Sequence, residues 1–307
     1  MRISRLPRRA LGALGHVALH HALPELLATS DDPLETLRFV NRPAQRIYPR
    51  EFSDADPFKL IRIDPNEIAY VSNAGKRWLY LPGEVMAGDW DRHGQPVEED
   101  VVFRTIADHI HDGVPLEVEP YRQYYLAHTK GRNQRGWGVT FQQQCDRVYR
   151  LIERIERGGY RSQRELLDTV GVDRLQRENN DTIHPLLNEI RVDTDRYGRF
   201  HFWRCGSHRL AIARALELPV VPALVGTRHS GWQQVRDEIR RGAAPESLGP
   251  GVRGYRGHPD LQDLTGVDHP AFPVSRPGRE YGWWEEEQSI SLAHNGGERP
   301  ESPPRQS

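Results

Sequence analysis

Between Leu60 and Asp64 apolar and polar side chains alternate, with Leu60, Arg62 and Asp64 on one side and Ile61 and Ile63 on the other. This predicts a strand that ends in the turn Asp64-Pro65-Asn66, and a further short strand within 77–86. The spacing then becomes helical. Val102, Ile106 and Ile110 recur at every fourth residue before Gly113, and Tyr121, Tyr124, Tyr125 and His128 form an aromatic stripe suited to core packing. Thr140 with Gln143, and Ser162 with Glu165, have capping-box spacing. Val148, Leu151, Ile152 and Ile155 mark one buried face of a helix that stops at Gly158-Gly159. Residues 189–240 make the clearest unit. Two strands, Glu189 to Val192 and Arg199 to Arg204, flank the turn Asp195-Arg196-Tyr197-Gly198, and Phe200 and Phe202 share a face. Cys205-Gly206 then turns into a helix from Ser207 to Glu217, followed by a strand from Pro219 to Val225 and a last helix opening at Thr227 to Trp232. The pattern predicts an α+β fold.

Composition adds limits. The chain has 307 residues, 37% hydrophobic and 28% charged, with a mean hydropathy of −0.72, so part of it is expected not to pack. Lys+Arg is 42 against 43 for Asp+Glu, which disfavours a globally basic nucleic-acid binder. Two cysteines, Cys145 and Cys205, imply no disulfide framework and suit a reducing, cytoplasmic setting. Residues 1–50 carry eight Arg against four acids and read as a basic amphipathic N-terminal arm. Peripheral contact of residues 1–45 with an anionic membrane is one use for such an arm, and loose docking on the domain is the other. Residues 243–307, with six Arg against ten Asp+Glu, read as a mostly disordered acidic, Pro/Gly-rich tail. The domain proper is expected over 55–242.

The candidate chemistry lies in FHFWRCGSHRLAIARALELPVVPALVGTRH, from Phe200 to His229. A turn at Cys205-Gly206 places the amides of Ser207, His208 and Arg209 at the first turn of a helix, where an anion fits. Gly206 permits close approach, Ser207 offers a hydroxyl, Arg209 a two-pronged guanidinium, and His208 a proton donor or acceptor. The bland alternative is an ordinary strand–helix turn capped by Ser207, with Arg209 exposed. His109-x-His111-Asp112 suggests a metal, but side chains at i and i+2 of a helix diverge, so no metal site is assigned there.

Gly206-Ser207-His208-Arg209, then Ala211 and Ala213, then Val221-Pro222-Ala223-Leu224-Val225, resembles the ParB/sulfiredoxin-like superfamily over about 50 residues. The 58–71 segment is similar to that domain's opening strand and turn, which makes 90–180 a helical insertion in a small mixed sheet. The chain also resembles an uncharacterised ParB-like group. In that group a Gly-Asp-Trp-Asp segment, here Gly88 to Asp91, precedes helices, and an Arg-His-x-x-Trp loop, here Arg228, His229 and Trp232, follows the last strand. The resemblance implies a nucleotide-phosphate site of Cys205, Gly206, Ser207, His208, Arg209, Arg228 and His229. His208 and a carboxylate from Asp89 or Asp91 would act as proton carriers or, for the aspartates, as magnesium ligands. The ligand would be a nucleoside triphosphate or diphosphate with Mg2+, and the chemistry that of a small-molecule kinase or NTPase acting on a hydroxyl-bearing substrate. Ser207 stands where sulfiredoxins carry their cysteine, which argues against sulfinic-acid reduction. Nothing after 240 offers a DNA-reading module, so DNA association is disfavoured. A non-catalytic nucleotide- or anion-binding module that recruits a protein partner is the alternative.

Overall fold

The computed structural model describes residues 23, 25–27, 29–48, 50–74, 82–133, 139–171, 184–203, 205–244 and 257–266. All fall in the unit Met1–His269; the unit Pro270–Ser307, with most of the expected acidic tail, lies outside the described residues, as do 1–22 of the N-terminal arm. The chain is mixed α/β. Its strands are β1 (Ile61–Ile63), β2 (Tyr70–Val71), β3 (Glu84–Met86), β4 (Gln95–Pro96), β5 (Ile190–Thr194), β6 (Phe200–Phe202) and β7 (Val221–His229). They form one mixed seven-stranded sheet in the order β1-β7-β5-β6-β2-β4, with β3 also on β7. Parallel pairs are β5–β7, β2–β6 and β3–β7; β1–β7, β5–β6 and β2–β4 are antiparallel.

Helices pack around this sheet. They are α1 (Pro33–Ile47), α2 (Val101–Asp112), α3 (Glu119–Asn133), α4 (Phe141–Gly158), α5 (Gln163–Val170), α6 (Ser207–Ala215), α7 (Ser230–Arg240) and α8 (Gln262–Thr265). The main core joins Ile61, Ile63, Val71, Ile190, Val192, Phe200, Phe202, Val221, Ala223 and Val225 of the sheet to Val102, Phe103 and Ile106 of α2. Val148, Ile152 and Ile155 of α4 and Leu210 to Ala213 of α6 complete it. Because side chains alternate across a strand, the opposite face carries Arg191, Asp193, His201 and Trp203. Both predicted capping boxes are present, at Thr140–Gln143 on α4 and Ser162–Glu165 on α5. Gly113 closes α2 in a left-handed conformation, and Asp64 accepts from the Asn66 amide at 2.8 Å to start the expected turn.

Three boundaries differ from the sequence reading. The arm is not separate over 23–47: Leu23, Leu27 and Leu37 are buried with Phe58, Leu186 and Leu187. The insertion is not wholly helical, since β4 adds a sheet edge and α2 packs into the common core. The domain also runs past 242. Residues 257–266 fold back, with Leu261 buried beside Trp232 and Ile239 of α7.

At the β5–β6 turn, Gly198 has φ +86°, and a Cβ there would lie 2.7–2.8 Å from the Trp232 ring. Gly198→Ala therefore combines a left-handed backbone with an overlap against a fully buried indole. It should cost about 2–4 kcal/mol in urea unfolding.

Candidate functional site

The turn Cys205-Gly206 adopts the expected geometry. Gly206 is the N-cap residue of α6 with φ 77° and provides no side-chain cap for the helix. A Cβ at this position would lie 3.0–3.1 Å from Ile190 side-chain and backbone atoms, so only glycine fits between β5 and the helix. The Arg191 amide bonds the Cys205 carbonyl at 3.3 Å, and the Trp203 amide bonds the Arg191 carbonyl at 3.0 Å, which ties the turn to the start of β5. Ser207 and His208 are half-buried, and the Tyr121 hydroxyl lies 2.7 Å from His208 Nε2. Cys205 Sγ is 3.9 Å from the Leu187 carbonyl and 3.9 Å from Asn188 Oδ1.

Arg209 is neither the exposed side chain of the bland reading nor a free two-pronged grip. It is buried, donates to the Asn188 carbonyl, and brings Nη1 to 4.0 Å from Glu189 Oε2. Glu189 accepts from the Arg164 amide at 3.2 Å near the start of α5. Burial pushes the Glu189 carboxyl up, against the pull of Arg209. Neither Arg209 Nη1 nor Glu189 Oε2 has a hydrogen-bond partner. Arg191 is also buried. It donates to the Leu187 carbonyl at 3.2 Å and lies over the Trp203 ring at 5.1 Å. Among the described residues, this stretch of β5 thus carries two buried guanidiniums, Arg191 and Arg209, and two buried carboxyls, Glu189 and Asp193, the latter acting on Arg191.

The other expected residues sit elsewhere. Arg228 and His229 belong to β7, not to a loop after it. Arg228 pairs with Asp260 at 2.9 and 2.5 Å. His229 caps α7 by accepting from the Gly231 amide at 2.9 Å, and its Nε2 lies 2.8 Å from the Gly88 carbonyl. Asp89 and Asp91 both accept from Arg196, at 2.7 and 2.6 Å. The Asp91 carboxyl is held down at about 2, where burial raises it but hydrogen bonds from Arg196 prevail. Arg196 lies in the turn after β5, at the other end of that strand from the glycine turn, and Asp89 and Asp91 are held there. They do not fit a proton carrier or magnesium ligand for that turn, because the guanidinium occupies their oxygens. Among the described residues no group of three or more His, Cys, Asp or Glu is placed to hold a metal ion. His109 and His111 diverge as their spacing implies, one to the Val114 carbonyl at 2.9 Å and one to the Ala215 carbonyl at 2.9 Å.

The structure brings a different set together on the polar face of β5 and β6. Asp193, fully buried, accepts from Ser72 Oγ at 2.5 Å and from the Thr227 amide at 2.8 Å. Burial pushes its carboxyl up to about 7, and the Ser72 and Thr227 bonds only partly offset this. His201, paired with Asp193 across β5–β6, is buried between Tyr70, stacked at 5.9 Å, and Trp90, edge-on at 6.1 Å. The signal for this set was in the sequence: Arg191, Asp193 and Asp195 alternate with Ile190, Val192 and Thr194, as His201 and Trp203 do with Phe200 and Phe202. A strand whose second face is charged rather than merely polar marks a sheet face with work beyond packing.

No protein-family model matches this chain, and no curated protein or solved structure is similar to it. Among the described residues no helix is long and apolar enough to cross a membrane.

Proposed function

We propose that this chain binds nucleotide phosphates at the mouth of α6, as a ParB/sulfiredoxin-like domain with the chemistry of a phosphotransferase or NTPase. The observation that carries the reading is the glycine-opened helix mouth without a side-chain cap. Unpaired helix amides at the positive end of the dipole favour an anion such as a phosphate group. The strand, glycine turn, helix and strand order from β6 through β7 supports the family resemblance. Magnesium in this reading arrives on the nucleotide's own phosphates. Two free cysteines fit a cytoplasmic setting. The second reading, a binding module without turnover, is favoured by the engagement of Asp89, Asp91, Arg228 and His229 in internal bonds.

Arg209 is a poor choice for the test because its guanidinium is built into the start of β5. Ser207→Asp is better. A carboxylate at the first turn of α6 favours the helix by about 0.3–1 kcal/mol, yet repels a phosphate from the same amides. Equilibrium dialysis with ATP, GTP, CTP and UTP in magnesium should show binding by the wild type, weakened at least about 10-fold in Ser207→Asp with an unchanged or raised Tm. If the wild type retains none of the four, the reading fails. If it binds one and Ser207→Asp binds equally well, the phosphates sit somewhere else.

A further inference from the structure

The Tyr121 hydroxyl joins the helices inserted between β4 and β5 to the first turn of α6. Tyr121 is buried, its ring edge-on to Phe141 at 5.7 Å and stacked on Tyr124 at 6.5 Å. A phenylalanine would pack in the same place. The hydroxyl adds a polar group to the interior, which costs free energy unless it is hydrogen-bonded. Gln144 of α4 is one partner, and His208 Nε2, at 2.7 Å, is another. His208 is the second residue of α6 after the Gly206 cap, so its main-chain amide is among those that open the mouth.

The chemistry of the hydroxyl sets the direction of both bonds. Burial pushes the Tyr121 pKa well above its ordinary value, so the phenol keeps its hydrogen. The Gln144 bond works the other way and favours the phenolate, as only a donor to the oxygen does. Gln144 therefore gives its amide hydrogen to the Tyr121 oxygen. The hydroxyl hydrogen is then directed at His208 Nε2, which accepts it. An imidazole that accepts at one nitrogen carries its hydrogen on the other, so neutral His208 is the Nδ1–H form. Nδ1 is bonded to Cγ, which makes it the ring nitrogen nearer to the residue's own main-chain amide.

We propose that Tyr121 is a positioning residue of the α6 mouth: it fixes His208 in the Nδ1–H tautomer, and the imidazole adds a side-chain donor to a phosphate bound by the amides of Ser207 and His208. This rests on the nucleotide reading above. In the other tautomer Nδ1 would turn a lone pair toward the anion, and the same ring would oppose binding. With Arg209 engaged at the start of β5, Ser207 and His208 are the polar side chains of this first turn placed to meet a phosphate. The role asks His208 for a hydrogen bond and for no transfer of its proton.

The imidazole can be read directly. Nitrogen NMR spectra of the full chain, isotope-labelled at histidine, distinguish the two tautomers at pH 8, where an ordinary imidazole is neutral. The His208 signals are those lost in His208→Asn. The wild type should show the Nδ1–H form, and its Nδ1 signal should move on saturation with the magnesium nucleotide that equilibrium dialysis identifies. Tyr121→Phe should shift His208 toward the Nε2–H form and weaken nucleotide binding about 3- to 10-fold, the loss of one neutral hydrogen bond. Circular dichroism checks the fold of the variant, and the wild-type spectra decide if it does not fold. An Nε2–H tautomer in the wild type, an Nδ1 signal indifferent to bound nucleotide, or unchanged binding by a folded Tyr121→Phe would each overturn the inference and leave the nucleotide reading intact. A wild type that binds none of the nucleotides removes that reading and the donor role together, while the spectrum of the free protein still reports whether Tyr121 holds the tautomer.

Discussion

Asp193→Asn is expected to make the folded protein more stable than the wild type at pH 8 and no more stable at pH 4. In the fold this carboxyl is fully buried and its pKa is raised by burial from 3.8 to about 7. A raised folded pKa means the native state holds a proton that the unfolded chain releases. The associated stability is complete below about 3.8, is lost as pH rises through about 7, and stays lost above that. At 1.36 kcal/mol per pKa unit, the shift corresponds to about 4 kcal/mol between the two limits, an upper figure because Ser72 and Thr227 hold the charged form once it appears. His184 slopes the other way. Burial lowers its pKa to about 4, so its contribution falls away on acidification in an overlapping range. The informative quantity is therefore the difference between variant and wild type, measured by urea unfolding at pH 4, 6 and 8. A constant difference across that range would mean that Asp193 is not held protonated by its surroundings.

How much could be read in advance divides along the range of the interactions. Local chemistry was legible. Thr140 and Ser162 each cap the helix their spacing predicts, Gly113 ends α2, and Gly206 opens α6, because each feature involves residues within four positions of one another. The alternation at Ile61 and Ile63, and at Phe200 and Phe202, correctly gave the core face of two strands. Less legible was everything set by partners distant in the chain. β7 extends to His229 because Glu84 to Met86 pair with Thr227 to His229, a parallel partnership that spans nearly half the sequence. Arg228 and Arg209 looked like phosphate ligands because a guanidinium in a turn motif has no visible partner in one dimension. In the fold Asp260 and Glu189 stand beside them. Asp193 was passed over for the converse reason. Alternation places Asp193 on the charged face of its strand but says nothing of burial there, and its environment is made by Ser72, Thr227 and His201 from three other strands or strand ends.

Asp260→Ala should be the most damaging single substitution outside the apolar core. Asp260 lies in the short turn before α8, in a segment whose composition suggested no fixed structure, yet it is almost wholly buried. Its carboxylate accepts from Arg228 at 2.9 and 2.5 Å and from the Trp232 indole at 2.9 Å, and its carbonyl accepts from Arg236. Arg228, Trp232 and Arg236 are themselves buried, so their donors lose a charged partner in the interior. The two guanidiniums hold the Asp260 carboxyl far below the ordinary aspartate range despite its burial. Removing it leaves Arg228 with its charge uncompensated in the interior, and breaking one side of such a pair costs about 3–5 kcal/mol. Asp263→Ala provides the contrast. It also pairs with Arg236, at 2.7 Å, but its side chain is 29% exposed and water can take its place, so the loss should stay near 1 kcal/mol. Shortened chains separate this from a local effect of the substitution. A chain ending at 256 should be less stable than one ending at 266 by at least the loss seen in Asp260→Ala, since it lacks both the carboxylate and the buried Leu261. Equal stability of the two shortened chains would mean that the Arg228–Asp260 pair contributes nothing to holding β7 and α7 together.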